Sequence, residues 1–299
     1  MGVEIPLVQH SRYHIPPSTG HSLIVTFSVA FGIQLLAYIV SSVLKTERLY
    51  DLSGTLTYVA CTLVALLWRQ RVEPLSALGF RQILCASCVL LWSLRLGFFL
   101  YKRVLKVEDK RFDKFKITPL AFIIPFFIQA VWIFVTALPV WVILSNPCST
   151  QTVWDWPDIL GGILWVMGFA IEIIADETKA SFKKSHPHDF VTTGIWAYSR
   201  YANYFGEITL WVGMFIMCIS GFTQTWQWVT IISPIFVFCL IVFVSGIPIL
   251  EASSQRRYGD RADYQIYVAR TSTLFPWPPR KAAIASSSVS DRTIQIISQ

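Results

Sequence analysis

The run Ser199-Arg-Tyr-Ala-Asn-Tyr-Phe-Gly-Glu207 places Arg200, Asn203, Tyr204 and Glu207 at the threshold of an apolar stretch, Ile208 to Gly213. An amide and a carboxylate this close to hydrocarbon are costly unless something pairs with them. A second polar set, Glu172, Asp176, Lys179 and Lys183, ends another apolar segment. Its spacing of four, three and four puts the four side chains on one face of a helix. Two such sets joined by a short loop have the chemistry to hold a polar ligand at a membrane surface. The plain structural reading is a set of ion pairs at a helix end, with lysines reaching the headgroups. A third group, Glu251, Arg256, Arg257 and Tyr258, leaves the last apolar segment, followed by Tyr264, Tyr267 and Arg270. Arginines beside tyrosines suit phosphate binding and adenine stacking, and they equally suit an interfacial belt.

The elements that must position these residues are membrane helices. The chain is 54% hydrophobic and only 14% charged, against about 25% charged residues in soluble domains. Seven spans are expected, at about 23–44, 53–68, 83–101, 119–143, 158–175, 205–222 and 228–250. A span needs about 20 apolar residues, so 53–68 is short and 205–222, with Glu207 inside it, reads as partly re-entrant. The fold class expected is therefore all-α, a polytopic bundle of about seven transmembrane helices with a cytosolic nucleotide pocket. Residues 1–22 read as a polar N-terminal tail, 23–279 as one membrane domain and 280–299 as a disordered tail. The first 22 residues carry Pro6, Pro16 and Pro17 and no signal-peptide pattern, so the first span is expected to act as the insertion signal.

Charge placement gives an orientation. Of the 25 Lys and Arg residues, 20 fall in one alternating set of flanking segments and 4 in the opposite set, with Arg95 inside the third span. The positive-inside rule then expects a lumenal N-terminus and a cytosolic C-terminus. The same placement explains the net charge of +7 without nucleic acid as a partner. Arg95 is expected to face the bundle interior and to have a partner. Cys85-Ala-Ser-Cys88 lies in an apolar helix and reads as packing, and the five histidines share no metal-binding spacing, so no metal is expected. No glycine-rich phosphate loop is present, so a nucleotide would be held by side chains between helices.

The combination of Tyr50-Asp-Leu-Ser-Gly54, Leu94-Arg-Leu-Gly97, Asp109-Lys-Arg-Phe-Asp113, Gly168 to Lys183, Thr193-Gly-Ile-Trp196, Ser199 to Glu207, Ser245 to Glu251 and Tyr264 to Pro276 resembles a known family. It is similar to the membrane family of unknown function 1295, in the steroid 5-alpha-reductase and isoprenylcysteine methyltransferase superfamily. The resemblance implies NADPH as cofactor and reduction of a carbon–carbon double bond in a steroid or other lipid at the endoplasmic reticulum. By the same resemblance Asp176, Lys183, Asn203, Glu207, Arg257 and Tyr258 are expected to bind the cofactor, and the polar clusters around them add Glu172, Lys179, Arg200, Tyr204 and Arg256 as candidates. The reductases' Asn before Gly-Glu maps onto Asn203, their acid and base onto Asp176 and Lys183, and their Arg-Tyr onto Arg257-Tyr258.

S-adenosylmethionine is the alternative cofactor, although the methyltransferase branch carries Arg-His-Pro where this chain has Arg200-Tyr201-Ala202, which keeps the Arg and lacks the His and Pro. A catalytically silent scaffold of the same fold is the third reading. The reductases polarise the substrate carbonyl with a Tyr and a Glu from early spans. Tyr50 or Tyr101 would supply the phenol and Asp51 the acid, at a spacing that departs from the family's. Membrane lipids and a small hydrophobic lipid or steroid are the expected partners.

Overall fold

A computed structural model describes residues 19–69, 73–104 and 119–280. Ten α-helices are described: α1 Thr19–Leu44, α2 Leu49–Arg69, α3 Phe80–Val104, α4 Pro119–Thr136, α5 Leu138–Ser145, α6 Trp156–Ser185, α7 Ala202–Ile219, α8 Ile232–Cys239, α9 Ile247–Tyr258 and α10 Ala262–Arg270. A 3₁₀ segment, Thr225–Ile231, precedes α8, and a π-helical segment, Leu240–Val244, follows it. Among the described residues the only extended pairing is an isolated bridge between Ser199 and Ser272. The protein is all-α and polytopic, with six segments long and apolar enough to cross a bilayer, or seven if the bent pair α4–α5 is one span.

The chain divides into two compact units. The first contains residues up to Ile163 together with Trp211–Phe236, and the second contains Leu164–Leu210 and the chain from Val237 onward. Helices α6, α7 and α8 contribute to both.

On the first helix of the first unit, small and polar residues face inside and large apolar residues outside. Along α1 the buried positions are Ser22, Thr26, Ala30, Gln34 and Ser41, mostly four apart and so on one face. Ile24, Leu35, Leu36, Val43 and Leu44 are exposed. That inversion is stable only against lipid, where small and polar side chains let helices approach and bond to one another. Gln34 Nε2 donates to Thr57 Oγ1 at 2.8 Å, and Ser53 Oγ donates to Gln34 Oε1 at 3.2 Å. Behind them Tyr58 stands edge-on to Trp92 and Trp132, with ring centroids 5.2 and 5.5 Å away.

The same unit holds a buried ion pair. Arg81 Nε and Nη2 each donate to a different oxygen of Asp158 at 2.7 Å. The guanidinium also reaches Gln151 Oε1 at 3.3 Å and the Val153 carbonyl at 2.8 Å. Gln82, Asn146 and Gln227 extend the network to the carbonyls of Ile143 and Gly221.

Several expected boundaries move. Residues 19–22 belong to α1 rather than to a tail, because their polar groups have partners: Ser145 Oγ donates to Ser22 Oγ at 2.6 Å, and Thr19 Oγ1 to Asn146 Oδ1 at 3.4 Å. The span expected at 53–68 starts at Leu49, which gives it ordinary length. The span expected at 119–143 is bent by 55° between Thr136 and Leu138. Pro139 lies in the first turn of α5, where its missing N–H ends one helix and begins another. The expected re-entrant stretch 205–222 is instead a continuous helix, α7. The span expected at 158–175 runs on to Ser185, and that at 228–250 is a composite of 3₁₀, α and π turns. The motif Asp109–Asp113 and the tail 281–299 lie outside the described residues.

The second unit is built on the upper part of α6 and the lower part of α7. A Cβ on Gly206 would lie 2.6 Å from the Gly168 carbonyl oxygen and 2.7 Å from the Glu172 nitrogen. One on Gly168 would meet the Gly206 carbonyl at 2.5 Å. Only glycine at both positions lets the two backbones touch, and this contact sets the register of everything above it.

Candidate functional site

All eleven residues expected to bind cofactor fall in the second unit. The Gly168–Gly206 crossing brings the acidic face of α6 against the start of α7. Glu172 and Asp176 are both buried, and Asn203 Nδ2 donates to Asp176 Oδ1 at 3.4 Å. Tyr204 and Glu207 are half-buried on the next turn. Tyr201 stacks on Tyr204 at 5.9 Å.

Further along α6, Lys179 Nζ sits 5.0 Å from the Trp196 ring centroid. Trp196 is fixed by its own indole, which donates to the Ala175 carbonyl at 3.0 Å. Lys183 is drawn into its own chain: Nζ donates to the Asp189 carbonyl, to Tyr258 Oη at 3.1 Å and to the Pro187 carbonyl at 3.4 Å. Tyr258 Oη also donates to the Asp189 carbonyl at 3.3 Å. This ring closes the loop after α6 onto α9. Phe190 fills its centre, with Tyr258, Tyr264 and Tyr267 at 5.4, 5.1 and 5.6 Å.

The tyrosines read in the sequence as candidates for stacking on adenine are therefore packed on Phe190. Burial pushes the Tyr267 phenol above its ordinary range, and burial with the nearby Glu251 charge does the same for Tyr264. Tyr201 is raised by burial first and by Glu251 second, against an opposing contribution from Arg200. These phenols stay protonated at neutral pH and serve as hydrogen-bonding groups rather than bases.

Arg200 occupies the other side of the cluster. Its Nη1 pairs with Glu251 Oε1, and its Nη2 donates to Thr273 Oγ1 at 2.8 Å. Its Nε is buried with no partner. The backbone here is held by the C-terminal segment, since Arg200 N donates to the Ser272 carbonyl at 2.9 Å and Tyr201 N to the Thr273 carbonyl at 3.1 Å. Arg256 and Arg257 are exposed, with the Arg257 guanidinium 5.9 Å from the Tyr258 ring.

The structure thus gathers the buried Glu172 and Asp176 with the half-buried Asn203 and places Lys183 with Tyr258 in another set. Glu251, Asp189, Trp196 and Thr273 complete these contacts and were not assigned cofactor roles from sequence. Asp189 and Thr273 act partly or wholly through the backbone or a small hydroxyl, which leaves no pattern to read. Arg200 and Glu251 lie 51 positions apart, although both flank apolar runs where a charge needs a partner.

The three residues considered for carbonyl polarisation lie in the first unit. Tyr50 Oη donates to the Pro125 carbonyl at 3.4 Å, and its ring stands edge-on to Phe126 at 5.3 Å. Asp51 is half-buried in the first turn of α2, and Tyr101 is exposed near the end of α3. Arg95, expected to face the interior, is half-buried with its guanidinium 5.4 Å from the Phe99 ring.

Comparison with curated proteins and with solved structures returned no match. The family comparison did match, over residues 37–271, which covers both polar helix ends and stops short of Ser272 and Thr273, and the chain belongs to the family described as "Protein of unknown function (DUF1295)".

Proposed function

We propose that this protein is an NADPH-dependent integral-membrane reductase acting on a carbon–carbon double bond of a steroid or other lipid. The observation that carries the reading is the pair of buried carboxylates Glu172 and Asp176, with Asn203 donating to Asp176, at a backbone-to-backbone helix crossing, flanked by Lys179, Lys183, Arg200 and Arg257. A polar set of this kind in a membrane helix pair points to function rather than to packing. The link to the steroid 5-alpha-reductase superfamily, carried by the Asn203-Tyr-Phe-Gly-Glu207 run, supports the choice of reaction.

The donor set suits a dinucleotide phosphate. Arg200 Nε is a buried donor that an oxygen ligand would satisfy, and Arg257 is an exposed guanidinium suited to a phosphate. Asn203 offers an amide donor and acceptor, and Glu172 and Asp176 offer acceptors for ribose hydroxyls. Bound NADPH would supply the hydride, while these residues orient it and balance its charge. The positive-inside bias supports a cytosolic C-terminus and a lumenal N-terminus, and the resemblance to the superfamily supports the endoplasmic reticulum as the membrane in this reading.

Two other readings each have one observation in their favour. Two buried carboxylates are what the cation S-adenosylmethionine would seek, which favours a methyltransferase. The internal pairing of Lys183 and Arg200 favours a silent scaffold.

Thermal unfolding of the purified protein in detergent with NADPH, NADP or S-adenosylmethionine separates the three. A ligand bound only by the native state at a hundredfold excess over Kd adds about 2.7 kcal/mol. NADPH is expected to stabilise the wild type. Asn203→Ala is expected to lose about tenfold to hundredfold in NADPH affinity while remaining folded, since one lost buried partner costs about 1–3 kcal/mol. Normal NADPH binding by well-folded Asn203→Ala would remove the role given to this motif. Stabilisation by S-adenosylmethionine alone would select the methyltransferase, and by neither ligand the scaffold.

A further inference from the structure

The C-terminal segment of the second unit lines a cavity of about 460 Å³, of which the cofactor reading uses Arg200 alone. Its size falls in the range of about 300–1,000 Å³ typical of small-ligand sites. The walls include Arg200, Arg270 and Arg280, the Thr273 hydroxyl, and the rings of Phe275 and Trp277, and they contain no carboxylate residue. The segment is closed into a loop by two hydrogen bonds at its base. Arg280 N donates to the Arg270 carbonyl at 3.0 Å, and Arg270 Nε donates to the Arg280 carbonyl at 3.0 Å. Trp277 N donates to the Tyr198 carbonyl at 3.1 Å, so the loop is pinned along its length.

Two observations identify what such a cavity takes. The first is charge: three arginines line one concavity, Arg200 pairs with the Glu251 carboxylate, and Arg200 Nε is still buried without an acceptor. Guanidinium forks match phosphate oxygens in geometry and charge.

The second observation is the rim. Phe275 and Trp277 are 64% and 69% exposed, a large apolar surface beside a cationic hollow. Phe275 contacts Phe205 with ring centroids 5.7 Å apart, and Phe205 lies in the first turn of the spanning helix α7. The rim therefore lies at the level where α7 enters the bilayer, the depth at which aromatic rings settle among headgroups.

We infer that this cavity is a phospholipid site, in which the arginines hold the phosphate monoester of an anionic headgroup while Phe275 and Trp277 lie among the adjoining acyl chains. Phosphate monoester chemistry is shared with soluble phosphates, and the exposed aromatic rim commits the site to the lipid. Basic hollows flanking membrane helices are suited to such headgroups. The site shares Arg200 with the proposed nucleotide cluster but is built on Arg270, Arg280 and the aromatic rim, and it is tested without nucleotide.

The full-length protein is reconstituted in nanodiscs of equal parts phosphatidylcholine and phosphatidate, then released into detergent, and the lipid retained is measured by native mass spectrometry. The wild type is expected to retain phosphatidate in preference to phosphatidylcholine, and to melt about 2–4 °C higher than in phosphatidylcholine alone. The double variant Arg270→Gln/Arg280→Gln is expected to lose both the preference and the shift, and Trp277→Ser is expected to weaken retention while both arginines remain. Arg200 is left untouched because it belongs to the candidate cofactor cluster. Equal retention of phosphatidate by wild type and double variant would overturn the site. Displacement of the retained lipid by millimolar inorganic phosphate would also overturn it, by assigning the cavity to a soluble ligand. A double variant that does not fold is replaced by Arg280→Gln alone, read by the same retained-lipid ratio.

Discussion

Two arginines, the fully buried Arg81 and the half-buried Arg200 with its buried Nε, show how the same side chain is used in two ways. Arg81, in the first unit, has every part of its fork engaged: both Asp158 oxygens, Gln151 and the Val153 carbonyl, with Asp158 also accepting from the Asp155 backbone N–H. Arg200, in the second unit, pairs with Glu251 and Thr273 but keeps Nε buried and unmatched. A buried charge with all its donors matched is architecture, because any ligand would have to break a bond to reach it. A buried charge with a donor left over is held at a cost of about 1–3 kcal/mol, and a ligand can recover it. The charge alone therefore does not mark a site, whereas the unmatched donor does.

The largest effect is expected at Arg81. Arg81→Ala leaves Asp158 as an uncompensated buried carboxylate, which costs about 3–5 kcal/mol. Detergent-solubilised Arg81→Ala should melt far below the wild type and express poorly, and the paired change Arg81→Met/Asp158→Leu should restore much of the loss. A mild effect of Arg81→Ala would mean that matched donors are not what holds this end of the bundle, and the contrast with Arg200 would fail.

Much of the fold was legible because the bilayer demands long apolar runs, so α1 and α3 were placed within a few residues from hydropathy alone. The break at Pro139 was visible as a proline and was passed over because the run stays apolar on both sides. The far end of α6 was harder to see. After Ala175 the sequence turns polar, yet the helix continues ten residues to Ser185, because Ala175 is buried under Trp196 and Lys183 is tied to Asp189 and Tyr258. Those ties come from elsewhere in the chain and leave no local signal. The π turn at Leu240–Val244 lies inside an unbroken apolar run, where hydropathy cannot distinguish it from α-helix. Within the candidate site, the spacing of Glu172, Asp176, Lys179 and Lys183 correctly put four residues on one face. Which of them hold one another and which face a ligand depends on partners distant in sequence, and spacing carries none of that.

A smaller effect sharpens the contrast within the second unit. Lys183 is committed like Arg81, to Asp189, Pro187 and Tyr258, whereas Arg257 is exposed beside the Tyr258 ring. Lys183→Ala should lower the melting temperature through loss of the loop closure, by about 1–3 kcal/mol at most. It should leave the ratio of NADPH to NADH affinity near the wild-type value. Arg257→Ala should do the reverse, cutting that ratio about tenfold, or 1.4 kcal/mol, with little change in melting. Titrating both nucleotides into both variants decides the matter. A collapsed ratio in a normally melting Lys183→Ala would show that its ammonium reads the 2′-phosphate despite its internal bonds.

The smallest effect is expected at a third arginine, Arg261, which is well paired but not buried. It donates from Nη2 to Asp263 Oδ2 at 2.6 Å, approaches Asp189 Oδ1 at 3.0 Å, and lies 5.0 Å from the Phe190 ring. Its side chain and both partners are 40–60% exposed, so water and salt screen the pairs. The hydrogen bond from Arg261 holds the Asp263 carboxyl below its ordinary value of 3.8. A carboxylate lowered in this way contributes its stability above the unfolded-state value and loses it as pH falls through the folded one. The difference in melting temperature between wild type and Arg261→Gln should therefore be small and flat from about pH 5 to 8. It should shrink toward zero only below pH 3.8. Raising the salt at neutral pH should shrink it as well. If Arg261→Gln instead melted as low as Arg81→Ala at neutral pH, pairing would govern stability regardless of burial. The distinction drawn between Arg81 and Arg200 would then lose its physical basis, because it depends on what burial does to a donor that finds no partner.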